Sequence, residues 1–434
     1  MRLLRAGEIG FERYLDRVDR RGFGENLRVE REVRTILRDV RKRGDEALVD
    51  STKRFDGVRI EPRDFEVRRE EVEEAYSKVP EGLLETLKKA SQRIERFHRL
   101  SLRKALIARV ERGIRLEQLT RPLERVGIYV PGGKASYPST VLMAAIPAKI
   151  AGVRQIVMTT PPHAEGVSPA VLVSADLAGV DRIYRIGGVQ AIGALAYGTS
   201  SIPKVDKIVG PGNRYVAAAK RLVYGTVDID MVAGPSEIVV IADDKAPAAY
   251  MAADLISQAE HDESAWAILI TPSEALGKAV QQEVTARLRF LKRKEIARRS
   301  LERNGAILLV EDLDRAVEVA NRIAPEHLEL AVSNYRSLVR KLRHAGSVFL
   351  GYHTPEAIGD YLAGPNHILP TGGTARFSSP LGVEDFLKRM NRVAFEAGTL
   401  ARFEKDLGRF TQWEGLEGHD EAVRVRLGSK RRGS

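Results

Sequence analysis

The sequence predicts an α/β fold built on parallel sheets. Between residues 125 and 224, short apolar runs alternate with apolar segments of helical length, and the runs end in turns rich in glycine or proline. A second series of the same kind begins at Ile238. A strand, a turn and a helix repeated in this order are typical of a parallel sheet covered by helices. The two series therefore predict two αβ domains.

The element positions follow from the apolar runs and from the glycine and proline residues that end them. The first series predicts strands at 126–130, 156–160, 182–186 and 207–209, and helices at 138–150, 168–177, 190–197 and 214–224. The second predicts strands at 238–242, 265–270, 306–310 and 347–350, a helix that ends with Gln258 and His261, and helices at 274–301 and 313–323. We expect four regions: a charged, mostly helical region at 1–118, αβ domains at 119–235 and 236–379, and a helical C-terminal segment at 380–434.

The composition limits the classes of protein to consider. The chain has 434 residues and no cysteine, so any metal must be bound by histidine, carboxylate or amide oxygen. No apolar run approaches the roughly 20 residues that a membrane-spanning helix needs. The N-terminus is charged and has no long apolar segment of the kind found in signal peptides. We therefore expect a cytoplasmic protein with no membrane partner.

The net charge of +11 raises the question of a nucleic-acid partner. Arginine and lysine interleave with glutamate and aspartate through the N-terminal region and through residues 285–303, and only 429–434 is purely basic. No pattern of basic and aromatic residues suited to base stacking is present. The charge pattern favours solvated helix faces, so we expect no nucleic-acid partner.

Four side chains in the second half of the chain form a candidate metal site. Gln258 and His261 are three residues apart, so both point to one face if they lie on a helix. Asp360 lies in an otherwise apolar setting, and His419 lies in a polar C-terminal stretch. Together they would give a nitrogen and oxygen site suited to Zn²⁺. Taken one at a time, they are explained more simply as a helix end, a turn cap and a surface histidine.

Two further sets of residues are candidates for catalysis and for ligand binding. Glu326 and His327 follow Pro325, and an adjacent acid and imidazole can transfer protons at neutral pH; a loop pair with no special role is the alternative. His367 lies in a loop rich in glycine, proline and asparagine, where functional side chains are common.

Ligands of parallel sheets bind at the carboxyl ends of the strands, which here are Tyr129, 188–190 and 212–213. No G-x-G-x-x-G fingerprint follows a strand, and no phosphate-binding G-x-x-x-x-G-K-[ST] loop is present. The glycine turns at these strand ends are therefore equally consistent with ordinary connections from strand to helix.

Eight segments of the sequence together resemble one family, the histidinol dehydrogenases. Each segment is weak evidence by itself, but the eight occur in family order, with sensible spacing, over most of the chain. The segments are 125–133, 187–192, 209–215, 230–237, 258–262, 324–329, 359–367 and 414–419. The charged N-terminal region and the basic tail add little to the resemblance.

The resemblance implies a zinc-dependent oxidation of L-histidinol through L-histidinal to L-histidine with two NAD⁺, the last step of histidine biosynthesis. It implies two incomplete Rossmann-like domains in an intertwined homodimer with one zinc ion per subunit. The implied zinc ligands are Gln258, His261, Asp360 and, from the partner subunit, His419. These four residues and His327 would also contact the substrate.

The remaining roles also come from the resemblance. His327 would be the general base, and Glu326 would activate the water that hydrates histidinal. Further contacts to the substrate are implied for Ser236, His367 and Glu414. Contacts to NAD are implied for Tyr129, Gln190 and Asn213, which lie on the glycine turns at the strand ends.

Two other functions remain to be weighed. A relative with the same fold could oxidise another alcohol, such as a sulfonated diol, but His367 and Glu414 beside a full zinc set favour histidinol. A basic nucleic-acid-binding protein would bind DNA or RNA in a salt-sensitive way. It would give no reason for the clusters of histidine and carboxylate.

Overall fold

The computed structural model describes residues 1–22, 27–102, 106–132, 136–163 and 165–428, and for 106–110 the backbone alone. Gly133 of the first resembling segment and the basic tail 429–434 lie outside the described residues. The chain divides into two compact units. The larger unit comprises Met1–Ser101 and Leu123–Phe386, and the smaller comprises Leu102–Pro122 and the chain from Leu387 onward.

The strands and helices are numbered in chain order. The strands are β1 (Arg2–Arg5), β2 (Leu106–Glu111), β3 (Ile114–Pro122), β4 (Arg125–Tyr129), β5 (Gln155–Thr159), β6 (Arg182–Tyr184), β7 (Lys207–Val209), β8 (Asp228–Ile229), β9 (Glu237–Ala242), β10 (Trp266–Thr271), β11 (Ala306–Leu309), β12 (His327–Ala331), β13 (Ser347–Leu350) and β14 (Leu387–Phe395). The helices are α1 (Ile9–Asp19), α2 (Leu27–Arg43), α3 (Asp45–Asp56), α4 (Arg69–Lys78), α5 (Glu81–Arg99), α6 (Pro138–Ala151), α7 (Pro169–Ala178), α8 (Gly188–Tyr197), α9 (Arg214–Val223), α10 (Ala248–Ala259), α11 (Glu274–Leu288), α12 (Lys294–Arg303), α13 (Leu313–Ile323), α14 (Tyr335–Val339), α15 (Glu356–Tyr361), α16 (Ala397–Leu400), α17 (Glu404–Glu414) and α18 (Glu417–Leu427).

The first sheet of the larger unit has five parallel strands in the order β6-β5-β4-β7-β8. Counted along the chain this order is 3-2-1-4-5, that of a Rossmann sheet without its sixth strand. Alternate residues of the strands face two apolar layers. Helices α5, α6 and α7 cover one face, and helices α2, α3, α8 and α9 cover the other.

The second sheet of the larger unit has six parallel strands in the order β1-β11-β10-β9-β12-β13. Strands β9 to β13 repeat the order 3-2-1-4-5, and β1 from the chain start adds a strand beside β11. Helices α1, α13 and α14 pack on one face, and α10, α11 and α12 on the other. Both sheets are covered on both faces, which explains why their strands read as continuous apolar runs. The predicted α/β class with two parallel sheets is confirmed.

The smaller unit contains an antiparallel sheet in the order β14-β3-β2, followed by helices α16, α17 and α18. The expectation of a helical C-terminal segment at 380–434 is wrong over β14, which pairs along its length with β3. The side chains of β14 are mostly exposed, so the strand has no apolar face that its own sequence could reveal. Its pairing depends on a partner strand far away in the chain.

Two other stretches differ from the predicted elements. The stretch 274–301 forms two helices, α11 and α12, and both direct apolar residues into the same layer against α10. The break between them contains neither glycine nor proline, so no breaker residue marks it. Residues 327–331, to which the sequence analysis assigned no element, form the interior strand β12 between β9 and β13. Among the described residues, no helix is both long and apolar enough to cross a membrane.

Candidate active site

The acid and imidazole pair, Glu326 and His327, lies where strands of the second sheet begin. β12 begins at His327 and its neighbour β9 begins at Glu237, and the register pairs His327 with Ile238. Helix α10 follows β9 and returns to the same edge before β10 begins, so Gln258 in its last turn arrives there too. The candidate site is therefore at the amino edge of the second sheet.

The backbone of Glu237 holds both members of the pair. Its N–H donates to Oε2 of Glu326 at 2.8 Å, and its carbonyl oxygen lies 3.0 Å from Nδ1 of His327. A carbonyl oxygen only accepts, so Nδ1 of His327 must carry the hydrogen of this bond. The Nε2 atom of His327 is left as an acceptor, and it has no hydrogen-bond partner among the residues described. Nε2 is therefore the atom at which His327 gains or loses its second proton.

Burial and carboxylates set the protonation of this pair. Burial raises the pKa of Glu326 to about 8. Burial alone would lower the pKa of His327, but the carboxylates of Glu326 and Asp360 outweigh it and raise the pKa to about 10. The Nε2 atom of His327 lies 3.6 Å from Oδ1 of Asp360. A cation bound by the nearby carboxylates would oppose these shifts and release protons.

Beside the pair lies a cluster of metal-ligating side chains. One ring nitrogen of His261, one carboxylate oxygen of Glu356 and one of Asp360 all lie within 4.8 Å of one another. Glu356 is buried, Asp360 is partly buried and His261 is exposed. A histidine and two carboxylates give mixed nitrogen and oxygen donors, which suit Zn²⁺.

The side chain of Gln258 supports a cation here. Gln258 is only 1% exposed, and its Oε1 has no hydrogen-bond partner in the part of the chain that the structure describes. A buried oxygen without a partner costs about 1–3 kcal/mol. A bound metal ion would remove this cost by accepting the oxygen as a ligand, so the residues present fit a zinc ion.

The local geometry of Gln258 and His261 differs from the prediction that both lie on one helix face. Helix α10 ends at Ala259, and His261 lies in the turn beyond it, where its N–H donates to the carbonyl oxygen of Gln258 at 3.2 Å. No glycine ends this helix, so the sequence suggests a continuation. The turn, rather than a shared helix face, brings His261 towards the cluster.

Glu356 is a site residue that the sequence reasoning missed. Its N–H begins α15 and donates to Oε1 of Glu329 at 2.7 Å, while Ser257 donates to its Oε2 at 2.9 Å. Burial raises its pKa. The available signal was its spacing from Asp360, because residues four apart on a helix lie on one face.

The loop before His367 connects the cluster to the first sheet. Nδ1 of His367 lies 2.8 Å from the carbonyl oxygen of Asp360, and Nε2 lies 3.4 Å from the hydroxyl of Thr140 in α6. Asn366 donates from Nδ2 to the carbonyl oxygen of Met143, also in α6, at 2.7 Å. Helix α6 follows β4 of the first sheet, so the carboxyl edge of that sheet faces the cluster. Ser236, partly buried, directly precedes β9.

The candidate NAD residues lie at that carboxyl edge. Tyr129 is the last residue of β4, and its hydroxyl accepts the N–H of Gly188 at 3.2 Å. Gln190 in α8 donates from Nε2 to Oδ2 of Asp56 at 3.4 Å. Both Tyr129 and Gln190 are buried, and burial raises the pKa of Asp56 to about 6. Asp56, at the end of α3, was not singled out in the sequence.

Asn213, the third candidate for NAD, begins α9. Its side-chain oxygen accepts the N–H groups of Tyr215 and Val216, which makes it the N-cap of that helix. Asn213 is exposed, and its amide NH₂ is left to donate. A helix N-terminus at the carboxyl edge of a parallel sheet is a suitable position for a phosphate-containing ligand.

Glu414 and His419 belong to the smaller unit. Glu414 is the last residue of α17, His419 lies in the first turn of α18, and both side chains are exposed. The contact of His419 with a partner subunit stays a prediction.

Gly346 allows the chain to pass close to the catalytic pair, and its replacement is predicted to disturb that pair. A Cβ at position 346 would lie 2.6 Å from the carbonyl oxygen of Glu326, which also accepts the N–H of Ser347 at 2.9 Å. Gly346→Ala must therefore shift the backbone of Glu326, and we expect kcat to fall on the order of 10²-fold. Steady-state NADH formation, the activity that the resemblance to the histidinol dehydrogenases implies, measures this.

The matched control for Gly346→Ala is Gly82→Ala in helix α5, where an added Cβ has no heavy atom within 4 Å among the described residues. The control should retain the kcat of the unmodified protein and gain slightly in stability, because alanine favours helix. Equal kcat values for the two variants would contradict the importance of the close approach at Gly346.

Comparisons with known proteins identify the family. The sequence model of the family "Histidinol dehydrogenase" matches residues 20–427. The histidinol dehydrogenase of Bacillus anthracis is 54% identical over 402 residues, which are 93% of this chain and 93% of that protein. That of Syntrophotalea carbinolica is 53% identical over 428 residues, 98% of this chain and 99% of that protein.

A solved structure extends the similarity to the fold. The crystal structure of histidinol dehydrogenase from Elizabethkingia anophelis superposes with a TM-score of 0.92 at 36% identity, covering 99% of this chain and 98% of that chain. Sequence and fold agree over nearly the whole length. The chain therefore belongs to the histidinol dehydrogenase family.

Proposed function

We propose that this chain oxidises L-histidinol through L-histidinal to L-histidine, using two NAD⁺ and one zinc ion per subunit. As a member of its family, the chain is an NAD-dependent oxidoreductase of histidine biosynthesis. The observation that carries the finer proposal is the position of His327. Among the described residues its Nε2 has no hydrogen-bond partner, and it lies 3.6 Å from Oδ1 of Asp360, beside the cluster of metal-ligating side chains.

The zinc ligands proposed within one chain are Gln258, His261 and Asp360, and His419 of the partner subunit completes the set in a homodimer. The first three are supported by Oε1 of Gln258, which has no hydrogen-bond partner within the described ranges, and by the convergence of His261 with Asp360. Glu356 lies in the same cluster and adds a second negative charge. When bound, the zinc ion would hold and orient the imidazole and amino nitrogens of the substrate.

Glu326 and His327 would carry out the proton transfers of the reaction. Nε2 of His327 takes the hydroxyl proton of histidinol while the hydride leaves the carbinol carbon for NAD⁺, which gives the aldehyde. Glu326 then activates a water that adds to the aldehyde carbon. Loss of a second hydride from the hydrate to a second NAD⁺ gives the carboxylate. The balance is one water consumed, with two hydrides and three protons released.

NAD and the substrate would bind to different sets of residues. Tyr129, Gln190 and Asn213 at the carboxyl edge of the first sheet are proposed to contact NAD. Ser236, His367 and Glu414 are proposed to contact the substrate together with the zinc-binding side chains. The contacts of residues 366 and 367 with helix α6 support this assignment. Helix α6 begins at the carboxyl edge of the first sheet, so these contacts join that edge to the cluster of metal-ligating side chains.

Shared active sites predict complementation between two inactive variants. His419→Ala removes a zinc ligand supplied to the partner, and His327→Asn removes the base within a chain, so a mixed dimer contains one complete site. We expect each pure variant to be inactive and the separated heterodimer to recover about half of the activity per dimer, because one of its two sites is intact. Measurement on tagged, purified heterodimers tests this. No recovery would show that each site belongs to a single chain.

Removal of zinc tests the function as a whole. The purified protein is assayed for NADH formation with L-histidinol before chelation, after chelation and after zinc is returned, and its zinc content is measured at each step. The proposal predicts that activity falls and returns in proportion to bound zinc. Full activity in metal-free protein would contradict a zinc enzyme. Turnover of another alcohol, but not of histidinol, would retain the site and contradict the substrate.

A further inference from the structure

We infer that Arg21, from the N-terminal region, is a positioning residue for Glu326 and His327, and that it acts through Glu237. The inference rests on the proposed function, because it assigns a part in that reaction to a residue outside the site. The sequence analysis assigned no candidate site residue to the N-terminal region, and the contacts of Arg21 give that region a part.

Arg21 and Glu237 form a buried two-pronged ion pair. Nε of Arg21 donates to Oε1 of Glu237 at 2.7 Å, and Nη2 donates to Oε2 at 2.8 Å. Both side chains are 2% exposed. Two parallel hydrogen bonds between a guanidinium and a carboxylate fix direction as well as distance. The pair therefore restricts the orientation of the Glu237 side chain.

Arg21 is itself fixed by two backbone carbonyls. Nη1 donates to the oxygen of Val18 at 2.8 Å, and Nη2 donates to the oxygen of Ile323 at 2.7 Å. Val18 lies at the end of α1 and Ile323 at the end of α13. These two contacts, at the ends of α1 and α13, fix the position of the guanidinium. The ion pair can therefore hold the side chain of Glu237 in one place.

Glu237 passes this constraint to the catalytic pair through its backbone. The same residue whose side chain binds Arg21 donates its N–H to Glu326 and accepts from Nδ1 of His327. A rotation of the Glu237 backbone would misdirect the carboxylate of Glu326 and the imidazole of His327 at once. It would also weaken the bond that keeps hydrogen on Nδ1 and leaves Nε2 free to accept.

A loop beyond His367 completes the arrangement. The N–H of Gly372 donates to Oε1 of Glu237 at 2.8 Å, and the hydroxyl of Thr371 accepts the N–H of Gly234. The ion pair and this loop therefore hold the segment that leads into β9 from two sides. Loss of Arg21 would leave the carboxylate of Glu237 buried with a single backbone donor among the described residues, and such a charge would move to find other partners.

The competing explanation is that Arg21 only fastens α1 to the rest of the unit. Arg322 of α13 already does this from the surface, with ion pairs to Glu12, Asp16 and Asp19 of α1. Arg322 has no bond to Glu237. Arg322→Met is therefore a matched control, because it removes an arginine from the same helix contact and leaves the catalytic pair untouched.

The test uses single turnovers of the zinc-loaded protein, with enzyme in excess over L-histidinol. The rate constant reports how well the pair is placed, and the amplitude reports the fraction of folded, active protein. We expect Arg21→Met to lower the rate constant by about 10–100-fold with zinc content and the KM for NAD⁺ unchanged. Arg21→Lys should restore part of the rate, and Arg322→Met should match the unmodified protein. A loss of amplitude alone in Arg21→Met would overturn the inference.

A second variant keeps the inference testable if Arg21→Met fails to fold. Glu237→Gln has the same shape but loses the charge, and it should lower the rate constant in the same direction. Combining it with Arg21→Lys should add little further loss, because residues that act through one another are not additive. Fully multiplicative losses would contradict the chain of contacts. No turnover of histidinol by the unmodified protein would contradict the proposed function instead.

Discussion

His327→Asn is expected to lower kcat for histidinol oxidation by about 10²–10⁴-fold, the usual contribution of a positioned general base. Asparagine can still donate a hydrogen bond towards the carbonyl oxygen of Glu237, but it offers no basic nitrogen in place of Nε2. His327 is not among the proposed zinc ligands, so the variant should keep its zinc. Steady-state NADH formation and metal analysis on the same preparation measure both expectations.

The control for this variant is His344→Asn. His344 is partly exposed and its backbone N–H, which the substitution retains, donates to Asn321. It should therefore leave kcat and zinc content as they are. A His327→Asn variant with kcat within about threefold of the unmodified protein would remove His327 from the role of base, since so small a change is under 1 kcal/mol.

Asp360→Asn is expected to weaken zinc binding by at least about tenfold, because a neutral amide replaces an anionic ligand. Burial alone would raise the pKa of Asp360, but the imidazole of His327 outweighs it and the net shift is downward. The carboxylate is therefore ionised at neutral pH and available to a cation. Competition with a chelator of known zinc affinity gives the change directly.

The pH dependence of zinc binding follows from the neighbouring carboxyl group. Burial raises the pKa of Glu356, so this group takes up a proton at a higher pH than an ordinary glutamate as the pH falls. Protonation reduces the negative charge of the cluster, and zinc retention should weaken below neutral pH.

The control for the Asp360→Asn variant is Asp314→Asn, since Asp314 is an exposed partner of Lys341. Unchanged zinc affinity in Asp360→Asn would count against Asp360 as a ligand.

The fold was predictable where each element carries its own pattern. Helix α13 and strand β13 have the predicted bounds. Apolar residues recur along the whole of each element, and Pro325 follows the helix closely. Strand β14 was not predictable in this way. Its exposed residues are held by pairing with β3, and no local pattern encodes a partner some 270 positions away.

The candidate site shows the same division. The resemblance indicated Gln258, His261, Asp360, Glu326 and His327, and the structure brings His261, Asp360 and His327 close together. The resemblance could not indicate that His327 begins an interior strand of the second sheet or that Glu356 joins the cluster of metal-ligating side chains. Glu356 reads as an ordinary residue at a helix start until the fold places it beside His261.

The link from Arg21 to Glu237 was the least visible in the sequence. The two residues are 216 positions apart, and each looks like one of many charged residues on a solvated helix or strand end. Only the burial of both side chains, and the two backbone bonds of Glu237 to the catalytic pair, distinguish them. Convergence of this kind depends on packing over long distances in the chain.

The most direct test of the account is the number of NADH molecules formed per histidinol. Zinc-loaded protein is given a limiting, known amount of L-histidinol with excess NAD⁺, and the reaction is followed to completion. The account predicts two NADH for each histidinol, with L-histidine as the product. One NADH for each histidinol, with histidinal released, would contradict it, because the site would then lack the hydration and second oxidation assigned to Glu326 and His327.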